Sequence, residues 1–273
     1  MKPSRFDYER PADLATVIRL LQREDINVKI VAGSQSLGPM LNMRLVQPDL
    51  LVDITGIAAL KRVEVDADAL VIGACVTHAD IEDMRVPDVT GGAMAKVARG
   101  IAYRAVRSRG TVGGSLAHAD PSADWISCLA ALGAQVLIAG PDGRREMPVG
   151  DFMTGVFESA LGPAEVLEAV RVPRLSGRAR WGFHKLCRKT GELAQAIGVV
   201  LHDPERAVCR LVIGATEARP IVVGDAHSLF GNGRQLDVEA AHKLLVDAGH
   251  ADALDNQLHI AALKRAAASA EQP

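Results

Sequence analysis

Two segments of small and hydroxylated residues carry the chemistry most visible in this chain. The first is Ala32-Gly33-Ser34-Gln35-Ser36-Leu37. It follows an apolar stretch, Asn27 to Ala32, whose last aliphatic is Val31, and it precedes a helical pattern from Gly38 to Leu45. The second is Thr111-Val112-Gly113-Gly114-Ser115-Leu116-Ala117-His118-Ala119-Asp120-Pro121. Small residues let backbone N–H groups approach an anion closely, and a following helix adds the positive end of its dipole. Paired glycines beside hydroxyls form a second anion-binding concavity. Two such loops suit a pyrophosphate better than a single phosphate, although each alone reads equally well as a tight turn. The chain has no GxGxxG and no GxxxxGK[ST], so neither a Rossmann fold nor a P-loop is indicated.

Other side chains admit two readings. His118 fits a place beside a ligand or a hydrogen bond that satisfies its own loop. Asp124 fits a binding carboxylate or the first turn of a helix, where negative charge is favourable. Lys185 fits a site residue or a solvated strand position. Arg104, Arg107 and Arg109 form either a partner-facing patch or a solvated face. His227, His242, His250 and His259 lack metal-ligand spacing and read as surface residues. No two of Cys75, Cys128, Cys187 and Cys209 stand in a CxxC spacing, which argues against a zinc ribbon or an iron–sulfur site. They read as small buried residues in a reducing compartment.

The elements that must position these residues follow from periodicity. Pro11 to Gln22 has helical spacing, and Asn27 to Ala32 and Leu50 to Ile54 read as strands. Leu60 to Val65 and Ala69 to Gly73 form a hairpin. Thr77-His78-Ala79-Asp80 opens a helix as a capping box. A helix is expected over Met94 to Val106, an irregular stretch over Ser108 to Pro121, and a helix over Ser122 to Leu132 stopped by Gly133. Ala134 to Ala139 and Ala164 to Val172 are strands, with a turn at Pro141-Asp142-Gly143. A boundary falls near Pro173 to Arg180. Beyond it stand three strands, Trp181 to Cys187, Ala194 to Leu201 and Ala207 to Thr216. Helices over Val238 to Ala248 and Ala253 to Ala268 follow, the Ala-rich end being prone to fraying.

The 273 residues are 48% hydrophobic, an ordinary globular composition sufficient for one or two domains. With 31 basic against 33 acidic residues the chain lacks the basic excess of a nucleic-acid binder, and 3% aromatics leaves little for base stacking. The start MKPSRFDYERP has no apolar leader. The longest apolar run, Cys128 to Ala134, is far short of the ~20 residues of a membrane span. A soluble, cytoplasmic protein is expected.

At the two loops the chain resembles the FAD-binding, or medium, subunit of the xanthine dehydrogenase and carbon monoxide dehydrogenase family, the molybdenum hydroxylases. That family carries AGGQSL-P-M-R and T-GG-AHADP--D segments; this chain reads AGSQSLGPMLNMR at 32–44 and TVGGSLAHADPSAD at 111–124. Lys185-Leu186-Cys187-Arg188-Lys189-Thr190-Gly191-Glu192 is similar to the family's K--RR-GD segment, and Phe6-Asp7-Tyr8 before Pro11 also fits.

The resemblance implies an α+β, two-lobed FAD-binding fold of the p-cresol methylhydroxylase and vanillyl-alcohol oxidase type, plus a C-terminal three-stranded sheet-and-helix domain. The implied division is 1–175 for FAD, with lobes 1–56 and 57–175, and 176–273 for the C-terminal domain. It implies FAD contacts at Val31, Ala32, Gly33, Ser34, Gln35, Ser36 and Leu37, and at Thr111, Gly114 and Ser115. His118 would lie beside the cofactor, Asp124 would grip the adenosine part, and Ile101, Leu167 and Lys185 would touch flavin or adenine. Two departures stand out. Ser34 replaces the usual second Gly, compatible with a tight loop at negative φ. Glu192-Leu193 replaces an Asp-aromatic pair, and Leu193 cannot stack on a ring as Tyr or Trp would.

The implied function is electron transfer: from a molybdopterin large subunit, through two 2Fe-2S clusters on a small subunit, to FAD on this chain and then to an outside acceptor. A dimer of heterotrimers is implied, and no acid–base catalyst is required here. The alternative, a self-sufficient FAD oxidase or reductase of the same fold, needs a substrate pocket that the C-terminal hundred residues do not supply. A binding module that has lost FAD is disfavoured by the intact glycine and hydroxyl segments.

Overall fold

The computed structural model describes residues 2–230 and 235–271. A small parallel sheet comes first. It is built from β1 (Asp7–Glu9), α1 (Leu14–Leu21), β2 (Val28–Val31), α2 (Leu37–Asn42) and β3 (Leu50–Asp53), in strand order β1-β3-β2. Parallel neighbours need crossovers, and α1 and α2 supply them. Asp13 caps α1 by accepting from the Thr16 N–H, and Val17 is fully buried against Leu50, Val52 and Ile54.

The second layer begins with the hairpin β4 (Val63–Val65) and β5 (Ala69–Gly73). The helices α3 (His78–Glu82), α4 (Ala93–Gly100), α5 (Arg104–Arg107), α6 (Val112–His118) and α7 (Asp124–Leu132) follow. Then come β6 (Gln135–Gly140), β7 (Gly143–Pro148), α8 (Val149–Phe152), the short pair β8 (Met153–Gly155) and β9 (Glu158–Ser159), and β10 (Val166–Pro173). The resulting antiparallel sheet has the order β4-β5-β10-β6-β7. All nine residues of α7 are buried, and it packs against β10 and also against the third sheet. A helix apolar on every face belongs in an interior, and the run from Cys128 to Leu132 has that role rather than a membrane one. No helix among the described residues is long and apolar enough to cross a membrane.

The third sheet is β11 (Arg180–Leu186), β12 (Ala196–Asp203), β13 (Val208–Gly214) and β14 (Ile221–Val223), antiparallel in that order. The three expected strands form, and β14, too short to show a pattern, adds an edge. It is covered by α10 (Ala253–Glu271), preceded by α9 (Val238–Asp247).

Local expectations failed where tertiary contacts intervened. The helix expected over Met94 to Val106 stops at Gly100: Ile101 is extended and Ala102 takes φ 40°, before α5 resumes at Arg104. Hydrogen bonds from Arg107 to the Ile101 and Ala102 carbonyls hold that break, and no periodicity reports them. The stretch Ser108 to Pro121 is not irregular throughout. Thr111 caps α6 by accepting from the Gly114 N–H at 3.1 Å, and Val112 and Leu116 are fully buried, which offsets the poor helix propensity of two glycines. The strand β7, GRREMP, is almost wholly exposed and carries no apolar alternation.

The Ala-rich end stays helical to Glu271, with Ala266, Ala267 and Ala270 buried on the sheet. His227 and His242 are exposed as expected, but His259 is fully buried and His250 nearly so. His259 lies 3.0 Å from the Asp255 carbonyl and 3.3 Å from that of Ala215, partners supplied by the fold. Cys187 is only half-buried, whereas Cys75, Cys128 and Cys209 are buried, and all four are free thiols.

The seat of α10 depends on absent side chains. A Cβ on Gly198 would lie 2.6 Å from the Ala262 carbonyl carbon, and one on Gly182 would collide with the Ala266 carbonyl oxygen. Gly182→Val is expected to lift α10 from the sheet and lower stability by about 3 kcal/mol. Denaturant unfolding, with limited proteolysis to detect early loss of the C-terminal helix, checks this.

Candidate functional site

The chain turns from β2 into α2 through the first glycine-and-hydroxyl loop. Ser34 adopts φ 61°, so the loop does not meet the condition of negative φ under which the sequence made Ser at this position compatible with a tight turn. Reversal from strand to helix in so few residues requires a left-handed step, which in a non-glycine residue costs on the order of 1 kcal/mol or more. Gln35 Nε2 donates to the Gly33 carbonyl at 2.9 Å. The Ser36 hydroxyl makes no cap bond to α2. Among the described residues, the backbone N–H groups of Gly33, Ser34, Gln35 and Ser36 meet no protein acceptor. Gln35 and Ser36 are exposed, Ser34 is half-buried and Gly33 is buried, so the later residues of the loop are the ones open to an incoming anion.

The second loop is fastened along its back to the turn after β5. The Gly113 N–H donates to the Ala74 carbonyl at 2.9 Å, Val112 to Val76 at 3.0 Å, and His78 to Gly110 at 2.9 Å. Its front stays free: Gly114 is exposed and Ser115 half-buried. The two loops touch. A Cβ on Gly33 would collide with the Arg109 carbonyl oxygen, and one on Gly114 would lie 2.7 Å from Thr111 Oγ1 and 3.9 Å from the Ala32 Cβ. The structure therefore brings Val31 to Leu37 together with Thr111 to Ser115.

His78 and Trp125 stand behind the second loop, and sequence reading missed both. Trp125, fully buried, donates from Nε1 to His78 Nδ1 at 3.0 Å. Nδ1 is thereby an acceptor, so the neutral ring carries its proton on Nε2. Burial, aided by the charge of Arg107, pushes the His78 pKa down to about 4. The only signal in the sequence was its place after the Thr77 cap, whose reciprocal bonds with Asp80 are present.

A third group joins three elements. Lys185 Nζ lies 3.0 Å from Asp124 Oδ1 and 3.1 Å from Oδ2, and it donates to the Gly100 carbonyl at 3.1 Å. Burial pushes the Asp124 carboxyl up, and the Lys185 ammonium opposes this. Asp124 sits in the first turn of α7, as the helix reading expected. Lys185 is no solvated strand residue, its side chain being 9% exposed. Asp124 Oδ1 has no hydrogen bond of good geometry among the described residues. Ile101 follows Gly100 and packs on the main core, to which Leu167 also belongs. Leu167 is an interior residue of β10, 4% exposed.

His118 ends α6 with its ring 5.1 Å from that of Phe157, and it makes no hydrogen bond among the described residues. It is thus not the loop-satisfying hydrogen bonder that one reading expected. The arginine cluster is divided: Arg109 is exposed, whereas the other two are engaged by carboxylates. Arg107 is buried against Glu82, and Arg104 pairs with Glu82 and Asp83. Leu193 is exposed, beside Glu192, which pairs with Arg188 at 3.3 Å.

The donors and acceptors present fit a dinucleotide. Four backbone N–H groups of one glycine-and-hydroxyl loop have no acceptor among the described residues, as anion binding requires, and an under-bonded buried carboxylate lies on the same framework. These features suit the class of dinucleotide binders that lack Rossmann and P-loop motifs.

Comparison with known proteins places the chain within that class. Residues 4–175 match the family model described as the FAD binding domain in molybdopterin dehydrogenase, and the chain belongs to that family. It is 34% identical over 221 residues to the carbon monoxide dehydrogenase medium chain of Hydrogenophaga pseudoflava, covering 81% of this chain and 77% of the relative. It is 33% identical to the nicotine 6-hydroxylase medium subunit of Paenarthrobacter nicotinovorans, covering 88% and 85%. Among solved structures it resembles the Hydrogenophaga pseudoflava carbon monoxide dehydrogenase lacking the Mo-pyranopterin moiety, with TM-score 0.88, 29% identity, and 99% and 98% coverage. It also resembles quinoline 2-oxidoreductase from Pseudomonas putida 86, with TM-score 0.85, 33% identity, and the same coverage.

A pH effect follows from His78. Its folded pKa, about 4, lies below the unfolded value of 6.5, so the unfolded chain binds the extra proton first as pH falls. The stability linked to this group is complete above pH ~6.5 and is lost progressively towards pH ~4, by roughly 3 kcal/mol in all. Denaturant unfolding of the wild type and His78→Gln across this window should show the decline in the wild type and a flatter dependence in the variant.

Proposed function

We propose that this chain is the FAD-binding electron-transfer subunit of a molybdenum-containing hydroxylase. In this reading it takes electrons from 2Fe-2S clusters on a small partner subunit and passes them to an external acceptor. The observation that carries the reading is the contact of two open anion-binding loops in a chain of the FAD-binding family. Bound FAD supplies a centre that accepts and releases electrons singly or in pairs. The protein's part is placement. Val31, Ala32, Gly33, Ser34, Gln35, Ser36 and Leu37 would cradle the pyrophosphate through main-chain N–H groups, with Thr111, Gly114 and Ser115 closing the second side. Asp124, held by Lys185, would grip the adenosine part. Ile101 and Leu167 would supply apolar surface, and His118 would flank the cofactor. Leu193, in place of an aromatic, would leave the flavin more open to acceptors.

Among the described residues no group of three His, Cys, Asp or Glu side chains converges on a metal position. The reading therefore assigns the iron–sulfur and molybdopterin centres to a small and a large partner subunit, assembled as a dimer of heterotrimers. Relatives whose names span carbon monoxide, caffeine, nicotine and glyceraldehyde suit a substrate site on another chain. The same reading divides the chain into an FAD-binding part at 1–175, with lobes 1–56 and 57–175, and a C-terminal part at 176–273. The four free thiols support a reducing compartment, hence the cytoplasm.

Purified protein should carry about one FAD per chain, released intact on denaturation. Gly114→Val should lose nearly all of it while keeping the wild-type far-UV circular dichroism, because the new side chain crowds Thr111 and fills the space before the loop. Flavin content by absorbance and chromatography decides this; FMN, or flavin left on the denatured chain, would refute it.

Expressed alone, the chain should show no hydroxylase turnover. Expressed with its partners, it should bleach its flavin absorbance anaerobically when the complex's substrate is added. Steady turnover by the lone chain would favour a self-sufficient oxidase instead.

A further inference from the structure

Arg107 makes four hydrogen bonds from one guanidinium, although it lies on a helix of only four residues. Nε and Nη2 grip the two Glu82 oxygens at 2.7 and 3.0 Å. Nη1 donates to the carbonyls of Ile101 at 2.8 Å and Ala102 at 2.9 Å. Those carbonyls belong to the break between α4 and α5, where Ala102 stands in the left-handed region at φ 40°. The break meets the rest of the site on two sides. The Gly100 carbonyl receives Lys185, and a Cβ on Gly191 would lie 3.0 Å from the Ala102 oxygen. Two residues beyond Arg107, the Arg109 carbonyl seats Gly33, and Gly110 lies against His78.

We propose, resting on the FAD reading above, that Arg107 is a positioning residue. Braced by Glu82, it fixes the Gly100–Tyr103 break and, through the short α5–Gly110 connection, the meeting of the two phosphate loops. In this role Arg107 acts through the main chain it holds and not through contact with the cofactor. The role demands a guanidinium, because a planar fork serves a carboxylate and two carbonyls at once, whereas an ammonium offers three donors from one point. It also accounts for the burial of a cation in a protein with many exposed arginines. Arg104 reaches the same Glu82 from the surface but bonds no carbonyl of the break.

The test uses the full chain and three variants: Arg107→Lys, Glu82→Gln and the double variant. Each is measured for FAD dissociation constant, for the visible absorption and circular dichroism of the bound flavin, and for melting of the flavin-free protein. The expected result is at least fivefold weaker FAD binding in both single variants with an altered flavin spectrum. The double variant should be no more than twofold weaker than Arg107→Lys, since both residues act through one clamp. If both single variants bind FAD within fivefold of wild type with unchanged spectra, the proposal is overturned; a lowered melting temperature alone would make Arg107 a stability residue. If Arg107→Lys fails to fold, Glu82→Gln decides by the same criterion. A wild-type chain that binds no FAD would sink the functional reading itself, a result distinct from failure of the clamp.

Discussion

The contact between the Gly33 backbone and the Arg109 carbonyl is the constraint on which the site depends. It presses a loop of the first, parallel sheet against a loop of the second layer with no side chain between them. Only a residue without Cβ permits that approach. Because the two main chains meet directly, the free N–H groups of 33–36 and the open face of Gly114 border one space. The second loop cannot drift, since three main-chain hydrogen bonds tie it to the turn after β5.

Buried polar groups reinforce that contact from behind, and their geometry shows what they are for. Burying a charge is costly, and an ion pair in the interior is a poor source of net stability. Lys185 with Asp124, and Arg107 with Glu82, are nonetheless largely withdrawn from water, and each cation also bonds carbonyls of the Gly100–Ala102 break. Their common feature is the segment they immobilise. That segment joins α4 to the second loop, and its left-handed Ala102 would not persist in an isolated peptide. The polar interior thus trades stability for a fixed main-chain path beside the loops.

The framework around the site is tolerant by comparison. The chain superposes along 99% of its length on solved carbon monoxide dehydrogenase at 29% identity. Apolar cores accept substitution when volume and pattern are kept, so most positions are free to vary. Positions of close approach are not free in this way. Gly33, Gly113, Gly182 and Gly198 each face backbone atoms that a Cβ would strike. Leu193 is of the opposite kind: it is exposed, so a change of side chain there leaves the fold undisturbed.

The sequence by itself determined the strands and helices whose burial is periodic, and it marked both loops. Either loop alone reads equally well as a tight turn, and it was the pair of them, Val31 to Leu37 and Thr111 to Ser115, that pointed to an anion. Their meeting in space was not legible, because contacts about eighty residues apart leave no local pattern. The same holds for the break after Gly100. Helical spacing runs through it, and the hydrogen bonds of Arg107 from the following turn and of Lys185 from β11 hold it open. Sequence made Ser34 compatible with a tight loop at negative φ, yet the strand-to-helix reversal between two fixed elements imposes φ 61°. His259 looked like a surface residue, but the fold buries it with the carbonyls of Asp255 and Ala215 within reach of its ring, one of which can accept its single N–H. Sequence encodes which residues prefer water, apolar neighbours or a free backbone. Tertiary structure decides which polar groups find one another, because a buried donor is tolerated only where the fold delivers its acceptor.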